Sequence, residues 1–454
     1  MVDDHIPKHI TILGGDPAGL SVGYYAHKSG LPFTIYEAKD RVGGNSVTIR
    51  HRNFFFDSGP HLLQTKDIEM INEILDLLRG DVHKLVLPVQ TYSDGKLVDF
   101  PFSPLNLLRT MGVLFSAKTA VEIIRQRFGK RNPICNFEEF AARGYGKSMA
   151  ERFVLNYSRK LWGHSAFSTK IAGQQLRGLN MTTFLIEMFR GRTAKVRHLG
   201  GTIYYPHGGF GMISERFAEI CGAKNIRTES RITLVTHEEH RIRTIELNGR
   251  RMVTTDEVVS TLPVNLLVQL MRPKPPEEIL ATAKSLQFRA LVLVVVFVRR
   301  QSVTESSSIH FPDPRIPFTR IHEPKKRCKH MAPDDQTSLV AEIPCQENDE
   351  VWNQQDQELI ARVLWGLQEV KLVTADEIID GIVVRIDNAY PLLEVNYEQK
   401  IQQIRAYLEN FSNLKITGRT GGFAYLSLHH ILKNAKKTIA SYVRDNVHDS
   451  ENMT

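Results

Sequence analysis

Gly14-Gly15-Asp16-Pro17-Ala18-Gly19, followed 18 positions beyond Gly19 by Glu37, are residues that could hold the pyrophosphate and ribose of a dinucleotide. Glycine at 14 permits a tight turn out of a strand, and Gly19 lets a helix pack closely on that strand. A helix opening near Pro17 aims its free N–H groups and its positive dipole end at bound phosphate. A carboxylate at Glu37 can accept hydrogen bonds from ribose hydroxyls. One position departs from the fingerprint G-x-G-x-x-G: its middle glycine, which admits the pyrophosphate to the backbone, is Asp16. A carboxylate ~4 Å from phosphate at an effective dielectric of about 20 is repelled by about 4 kcal/mol per unit charge. Rotation into solvent relieves most of this, and Asp16 can also cap the helix.

These residues need a strand, a glycine turn, a helix and a second strand. Residues 9–13 (HITIL) form a short β-branched run, residues 20–29 read as helix, and residues 32–37 (PFTIYE) as strand, together a βαβ unit with a parallel sheet. Residues 53–57 predict another strand. Apolar residues recur at helical spacing over 67–78 and 105–128. Strands are expected over 228–237 and 241–247, at 256–263, 291–298 and 339–343, and at 414–417 before a helix over 427–443. Gly418 then falls at a carboxyl strand end, where open α/β sheets place ligands. Tyr390-Pro391 reads as a turn at a lobe boundary.

After Glu37 come Ala38, Arg41, Gly43, Gly44 and Asn45. Here the chain resembles the flavoprotein family that includes monoamine and polyamine oxidases, protoporphyrinogen oxidase, phytoene desaturases and UDP-galactopyranose mutase, whose extended nucleotide site reads E-A-x-x-R-x-G-G. The resemblance implies FAD, with a cation and a close backbone approach along its pyrophosphate. It continues in Phe56-Asp57-Ser58-Gly59-Pro60-His61, similar to a segment beside the flavin ring, and in Tyr205-Pro206-His207-Gly208-Gly209-Phe210-Gly211. Ser230-Arg231-Ile232 resembles the strand whose backbone meets adenine. Thr261-Leu262-Pro263 resembles a strand end near the cofactor, and Gly418-Arg419-Thr420-Gly421-Gly422-Phe423-Ala424-Tyr425 the last FAD segment. The implied cofactor contacts are therefore Gly14, Gly15, Asp16, Pro17, Ala18, Gly19, Glu37, Ala38, Arg41, Gly43, Gly44, Asn45, Gly59, Pro60, His61, Ile232, Gly418, Arg419 and Phe423.

The fold expected is α/β: a Rossmann-like FAD-binding domain interleaved with a mixed α+β substrate domain. FAD-binding parts are expected at 1–100, 201–265 and 411–454, a mainly helical substrate part at 101–200 and the remaining substrate domain at 266–410. Three functional readings stand. One is an FAD-dependent oxidoreductase passing hydride from a small-molecule substrate to the flavin. The second resembles UDP-galactopyranose mutase, using reduced flavin as nucleophile, with Arg177, Arg289, Arg320, Arg385 and Arg419 as possible phosphate donors. The third is a scaffold that binds FAD weakly without turnover. Catalytic candidates are His61, Arg419 and Tyr425.

Composition narrows the partners. The chain has 454 residues and a formal charge of +8, yet its basic residues are scattered apart from Lys325, Lys326, Arg327 and Lys329. Nucleic acid is therefore not an expected partner. Four cysteines without CxxC spacing suggest no metal site and no disulfide framework, and with no visible signal peptide the expected location is cytoplasmic. The basic, apolar segment 103–128 could lie on a membrane surface. Burial of its apolar face against neighbouring helices is the simpler expectation.

Overall fold

The structure, a computed structural model, describes residues 8–64, 67–85, 88–100, 104–128, 136–163 and 203–451. The apolar run ahead of Gly14 forms β1 (Ile10–Leu13), buried along its whole length. It leads through the glycine turn into α1 (Pro17–Lys28) and then into β2 (Phe33–Tyr36). β1 and β2 pair in parallel, with Ile10 opposite Phe33 and Leu13 opposite Tyr36. On its other side β1 pairs in parallel with Glu257–Ser260, which in turn pairs with Leu414–Ile416. The five-stranded sheet runs Ile226–Arg227, β2, β1, Glu257–Ser260, Leu414–Ile416, so it draws strands from the beginning, middle and end of the chain. α1 packs against the helices Met212–Cys221 and Leu428–Glu451. Leu20 and Val22 of α1 share a core with Phe217, Leu432 and Ile439.

The second architectural unit is a seven-stranded sheet in the order Ile378–Pro391, Phe288–Val298, Thr337–Cys345, Arg320–His322, Ser308–His310, Val89–Ser93, Lys96–Phe100. Its central strand explains the apolar run at 291–298. Successive side chains point to opposite faces. Val292, Val294 and Val296 pack with Leu359 and Val363 on one side, while Leu291, Leu293 and Phe297 pack with Phe54 and Phe56 on the other. A strand buried on both faces reads as a continuous hydrophobic run.

Two expectations are corrected. Tyr390-Pro391 is the end of a 14-residue strand, with Tyr390 opposite Arg289 and Pro391 opposite Phe288. Proline, lacking an N–H, terminates that strand rather than making a turn. Its register also slips: Ile386 faces Leu291 while Tyr390 faces Arg289, so Asp387, Asn388 and Ala389 form a bulge, and all three line the cavity described below. Second, the helical stretch 105–128 is broken at Gly112 (φ 84°) into Pro104–Met111 and Val113–Phe128. Leu107, Met111 and Phe115 pack on the core as expected, while Val113, Leu114, Val121 and Ile124 are exposed, Leu114 to 90%. The basic cluster is partly spent internally. Lys325 Nζ donates to the carbonyls of Pro333, Asp334 and Gln336, and Arg327 is only 2% exposed, 3.7 Å from Asp57. Among the described residues no helix is long and apolar enough to cross a membrane.

A π-helical turn, Ala150–Leu155, runs into the helix Asn156–Trp162. Such turns occur often at functional sites. Lys160 fixes this helix to the loop that joins Ser308–His310 and Arg320–His322 of the seven-stranded sheet, its Nζ donating to the carbonyls of Phe311, Asp313, Ile316 and Phe318 at 2.7–2.9 Å. Phe153, Tyr157 and Leu161, spaced four apart, consequently turn one face toward the parallel sheet's carboxyl edge.

Candidate active site

A cavity of about 610 Å³ opens at the carboxyl ends of β1, Glu257–Ser260 and Leu414–Ile416. This is where open α/β sheets bind ligands. One wall is the glycine turn and its neighbours: Gly14, Asp16, Pro17, Glu37, Gly44 and Asn45 line it, as do Gly59, Pro60, His61, Arg419 and Tyr425.

Asp16 is the N-cap of α1, its Oδ1 accepting from Ala18 N at 3.1 Å and Gly19 N at 2.9 Å. Burial, opposed mainly by the bond from Gly19, pushes its carboxyl up to about 6. Glu37, at the end of β2, accepts from Gly15 N at 2.8 Å and Lys39 N at 2.9 Å. Gly19 has no space for a side chain, since a Cβ there would fall 1.9 Å from Gly14 O. Gly14 (φ 111°) is equally closed, its Cβ meeting Thr261 Oγ1 at 2.3 Å. Gly14 leaves bare backbone beside the cavity, as a bound pyrophosphate requires, and Gly19 lets α1 seat tightly behind it. The cradle thus fits FAD, with Asp16 lining the cavity beside the bare turn.

The sequence-expected contacts divide by location. Gly15, Ala18, Gly19, Gly43 and Gly418 lie in the layer behind the wall. Gly43 N donates to Gly15 O, and a Cβ on Gly418 would meet Ala18 Cβ at 3.0 Å. Ala38 and Arg41 follow β2, and Arg41 is exposed, with Nη1 3.5 Å from Gly44 O. The side chains of Ile232 and Phe423 are core residues, 6% and 1% exposed, with the Phe423 ring 5.0 Å from Phe288. Any cofactor contact from those two comes from backbone. Among the arginines, Arg320 and Arg419 line the cavity. Arg289 donates to Leu161 O and Pro344 O, and Arg385 to Trp352 O, Gln354 O and Asp356. Arg177 lies outside the described residues.

His61 stacks on Phe210 at 5.2 Å, with Nε2 2.9 Å from Asn45 O. Burial, reinforced by the nearby Arg419 charge, pushes the imidazole down to about 3. It is therefore neutral at physiological pH, with Nε2–H donating to the carbonyl and Nδ1 left as acceptor. That state suits positioning, not delivery of a proton as an acid.

The opposite wall is aromatic and cationic. Trp162 meets Tyr390 and Tyr425 edge-on at 5.7 Å, and those two tyrosines stack with planes 6° apart. The Arg419 guanidinium lies 5.0 Å from the Tyr425 ring centre and donates to Leu426 O. Burial raises both tyrosines, so they face the cavity as neutral hydroxyls. Arg320 makes a bidentate pair with Glu342, Nε–Oε1 3.0 Å and Nη2–Oε2 2.5 Å. Burial of Glu342 works against its ionisation, but the Arg320 charge, helped by the neighbouring His322 ring, wins and holds the carboxyl well below its ordinary range. His322 Nδ1 is 3.4 Å from Glu342. Burial keeps that ring neutral, so the contact is not an ion pair. His310, stacked on Tyr157 at 5.0 Å, completes the wall and is likewise held neutral by burial.

Sequence reading alone missed Glu342, His310, Tyr157 and the bulge Asp387–Asn388–Ala389. The bulge meets the glycine side of the cavity, because Asn45 Nδ2 donates to Asp387 O at 2.8 Å. A bulge re-aims the residues it displaces. The one available signal was the four-residue spacing of Phe153, Tyr157 and Leu161. Among the described residues no group of His, Cys, Asp or Glu could hold a metal.

Comparison with known proteins follows the same outline. A family model described as "Flavin containing amine oxidoreductase" matches residues 17–418. An L-amino acid oxidase from Crotalus durissus cumanensis is 42% identical over 60 residues, 13% of this chain and 12% of that protein. The chain therefore aligns with only about an eighth of this curated relative's length. A crystal structure of reduced UDP-galactopyranose mutase superposes with a TM-score of 0.83 at 19% identity, over 95% of this chain and 94% of that one. A putative protoporphyrinogen oxidase from Exiguobacterium sp. 255-15 gives 0.75 at 21% identity, over 96% and 98%. At these identities the two structures show a shared fold.

Proposed function

This chain belongs to the flavin containing amine oxidoreductase family, and on that premise we propose that it is an FAD-dependent oxidoreductase acting on a small anionic substrate. FAD supplies the two-electron acceptor for hydride leaving the substrate. The observation that carries the reading is the cavity's composition: a glycine-lined cofactor wall facing Tyr157, Trp162, Tyr390 and Tyr425, with Arg320 and Arg419 at hand. Guanidinium groups favour carboxylate or phosphate, and aromatic faces exclude water and hold a planar or sugar-like group. His61, neutral and fixed by Asn45 O, orients the segment beside the flavin. The strands Val89–Ser93 and Lys96–Phe100 belong to the seven-stranded sheet. We therefore place the FAD-binding part at residues 8–85, 203–265 and 411–451, with the intervening described segments on the substrate side.

A second reading has its own support. The paired arginines and tyrosine hydroxyls also suit a nucleotide diphosphate sugar, and the fold likeness to UDP-galactopyranose mutase is high. In that case the flavin is used reduced, with no net redox change. Anaerobic mixing with candidate carboxylates, amines and nucleotide sugars separates the two. The oxidoreductase reading expects substrate-dependent bleaching of the oxidised flavin, with O₂ consumed stoichiometrically on aeration. Turnover of a nucleotide sugar only after dithionite reduction, without bleaching, would replace it with the mutase reading.

A further inference from the structure

We propose that Asp16 makes FAD binding proton-linked: the cofactor binds the form of the chain in which this carboxyl is neutral, and binding takes up a proton from solvent. The inference rests on the FAD reading above and concerns a residue that the dinucleotide fingerprint lacks.

The geometry sets an anion against an anion. The N–H groups of Ala18 and Gly19, which a pyrophosphate at the start of α1 would share, already point at Asp16 Oδ1. The side chain lines the cavity instead of turning out to solvent. Two loop backbones enclose it. A Cβ on Gly44 would fall 2.9 Å from Asp16 Cβ, and one on Gly418 would fall 3.7 Å from Asp16 Oδ2. An ionised Asp16 therefore remains beside the diphosphate and repels it. A neutral Asp16 has a different inventory: its carbonyl oxygen still caps the helix, while its O–H donates to a phosphate oxygen. One proton turns the obstacle into a ligand.

The surrounding charges favour that protonation. Glu37, across the turn at the end of β2, adds negative charge. From the loop after β2, Arg41 is exposed and directed at Gly44 O. Arg419, from the loop after Leu414–Ile416, is directed at Leu426 O and the Tyr425 ring. From the loop after Glu257–Ser260, the Thr261 hydroxyl, 3.0 Å from Leu13 O, also reaches Asp16 and, with the N–H groups of Gly19 and Ala18, favours the ionised form, but burial outweighs these bonds. His61 is neutral throughout the neutral range. Burial already raises Asp16 to about 6 without a cofactor, and a bound diphosphate raises it further. Between the cofactor-free and cofactor-bound values, affinity falls about tenfold for each pH unit gained.

The test uses the full-length chain, stripped of flavin and titrated with FAD by flavin fluorescence from about pH 5.5 to about 8.5. Calorimetry in buffers of different ionisation enthalpy counts the protons taken up. The expected wild-type result is a dissociation constant rising about tenfold per unit above about pH 6.5, with proton uptake approaching one. Asp16→Asn keeps a capping oxygen and cannot ionise. It is expected to bind FAD independently of pH and, at about pH 8, at least ~10-fold more tightly than wild type. Asp16→Gly should be equally flat. A flat wild-type profile with no proton uptake, or an Asp16→Asn profile that keeps the wild-type slope, overturns the proposal while leaving FAD binding intact. Absence of FAD binding by all three chains at every pH would instead overturn the FAD reading and this inference with it.

Discussion

Glu342→Ala is expected to cost about 3–5 kcal/mol of unfolding free energy, because it strands the Arg320 guanidinium against a buried sheet. Glu342 is 0% exposed, and Arg320 gives it both of its hydrogen bonds at 3.0 and 2.5 Å. His322 sits beside the same carboxylate with both ring nitrogens otherwise unpartnered. The pair is a weak source of net stability as a whole, since burying two charges offsets most of their attraction. Removing both together, as Arg320→Met with Glu342→Leu, should therefore restore the urea midpoint to near the wild-type value. It should not restore substrate binding, because the cavity loses a cation. The pH dependence has a definite sign. A carboxyl held below its ordinary 4.5 contributes stability that is present above that value and lost as pH falls toward about 2. Glu342→Gln should lack this acid limb. A single Glu342→Ala variant as stable as wild type would show that the guanidinium is solvated from the cavity and that the pair is dispensable.

Gly19→Ala is the second large effect, and it acts on the cofactor side. A methyl group at 19 would lie 1.9 Å from Gly14 O and 3.3 Å from Ile12 Cγ2, so the turn or the helix must move. Either displacement separates the α1 N-terminus from the turn that aims it. Overpacking alone costs about 1–3 kcal/mol. The loss of cofactor should be larger, at least ~100-fold in FAD affinity, corresponding to about 2.8 kcal/mol or more. Far-ultraviolet circular dichroism with an FAD titration separates a folded variant that has lost FAD from an unfolded one. A folded Gly19→Ala variant with wild-type affinity would show that bound diphosphate does not depend on this close packing.

How much of this was legible in the sequence follows from the range of the interactions. β1, the glycine turn, α1 and β2 lie within residues 10–36 and are dictated by local signals: β-branched runs, glycine at the turn, a capping Asp and a Pro at the first helical position. Their readings matched the structure to within a few residues. Of the parallel sheet's remaining strands, Glu257–Ser260 and Leu414–Ile416 were read as strands, whereas the two-residue, partly exposed edge strand Ile226–Arg227 was not. The far wall was not legible either. Glu342 in a run such as SLVAEIPC looks like an isolated polar residue until Arg320 pairs with it across two strands. The bulge at Asp387–Ala389 exists only through its register with Leu291 and Arg289. A proline after Tyr390 looks like a turn because the same missing N–H that favours turns also ends strands. Ile232 and Phe423 show the converse limit: a motif position fixes where the backbone passes, not where its side chain points.

The central claim is that FAD sits at the N-terminus of α1, and the absorption spectrum of the purified full-length chain tests it most directly. The account predicts the bands of oxidised flavin at close to one flavin per chain, released by heat as FAD and not FMN, and regained when FAD is added back at mildly acid pH. A folded, colourless chain that stays colourless with excess FAD across the pH range would contradict it.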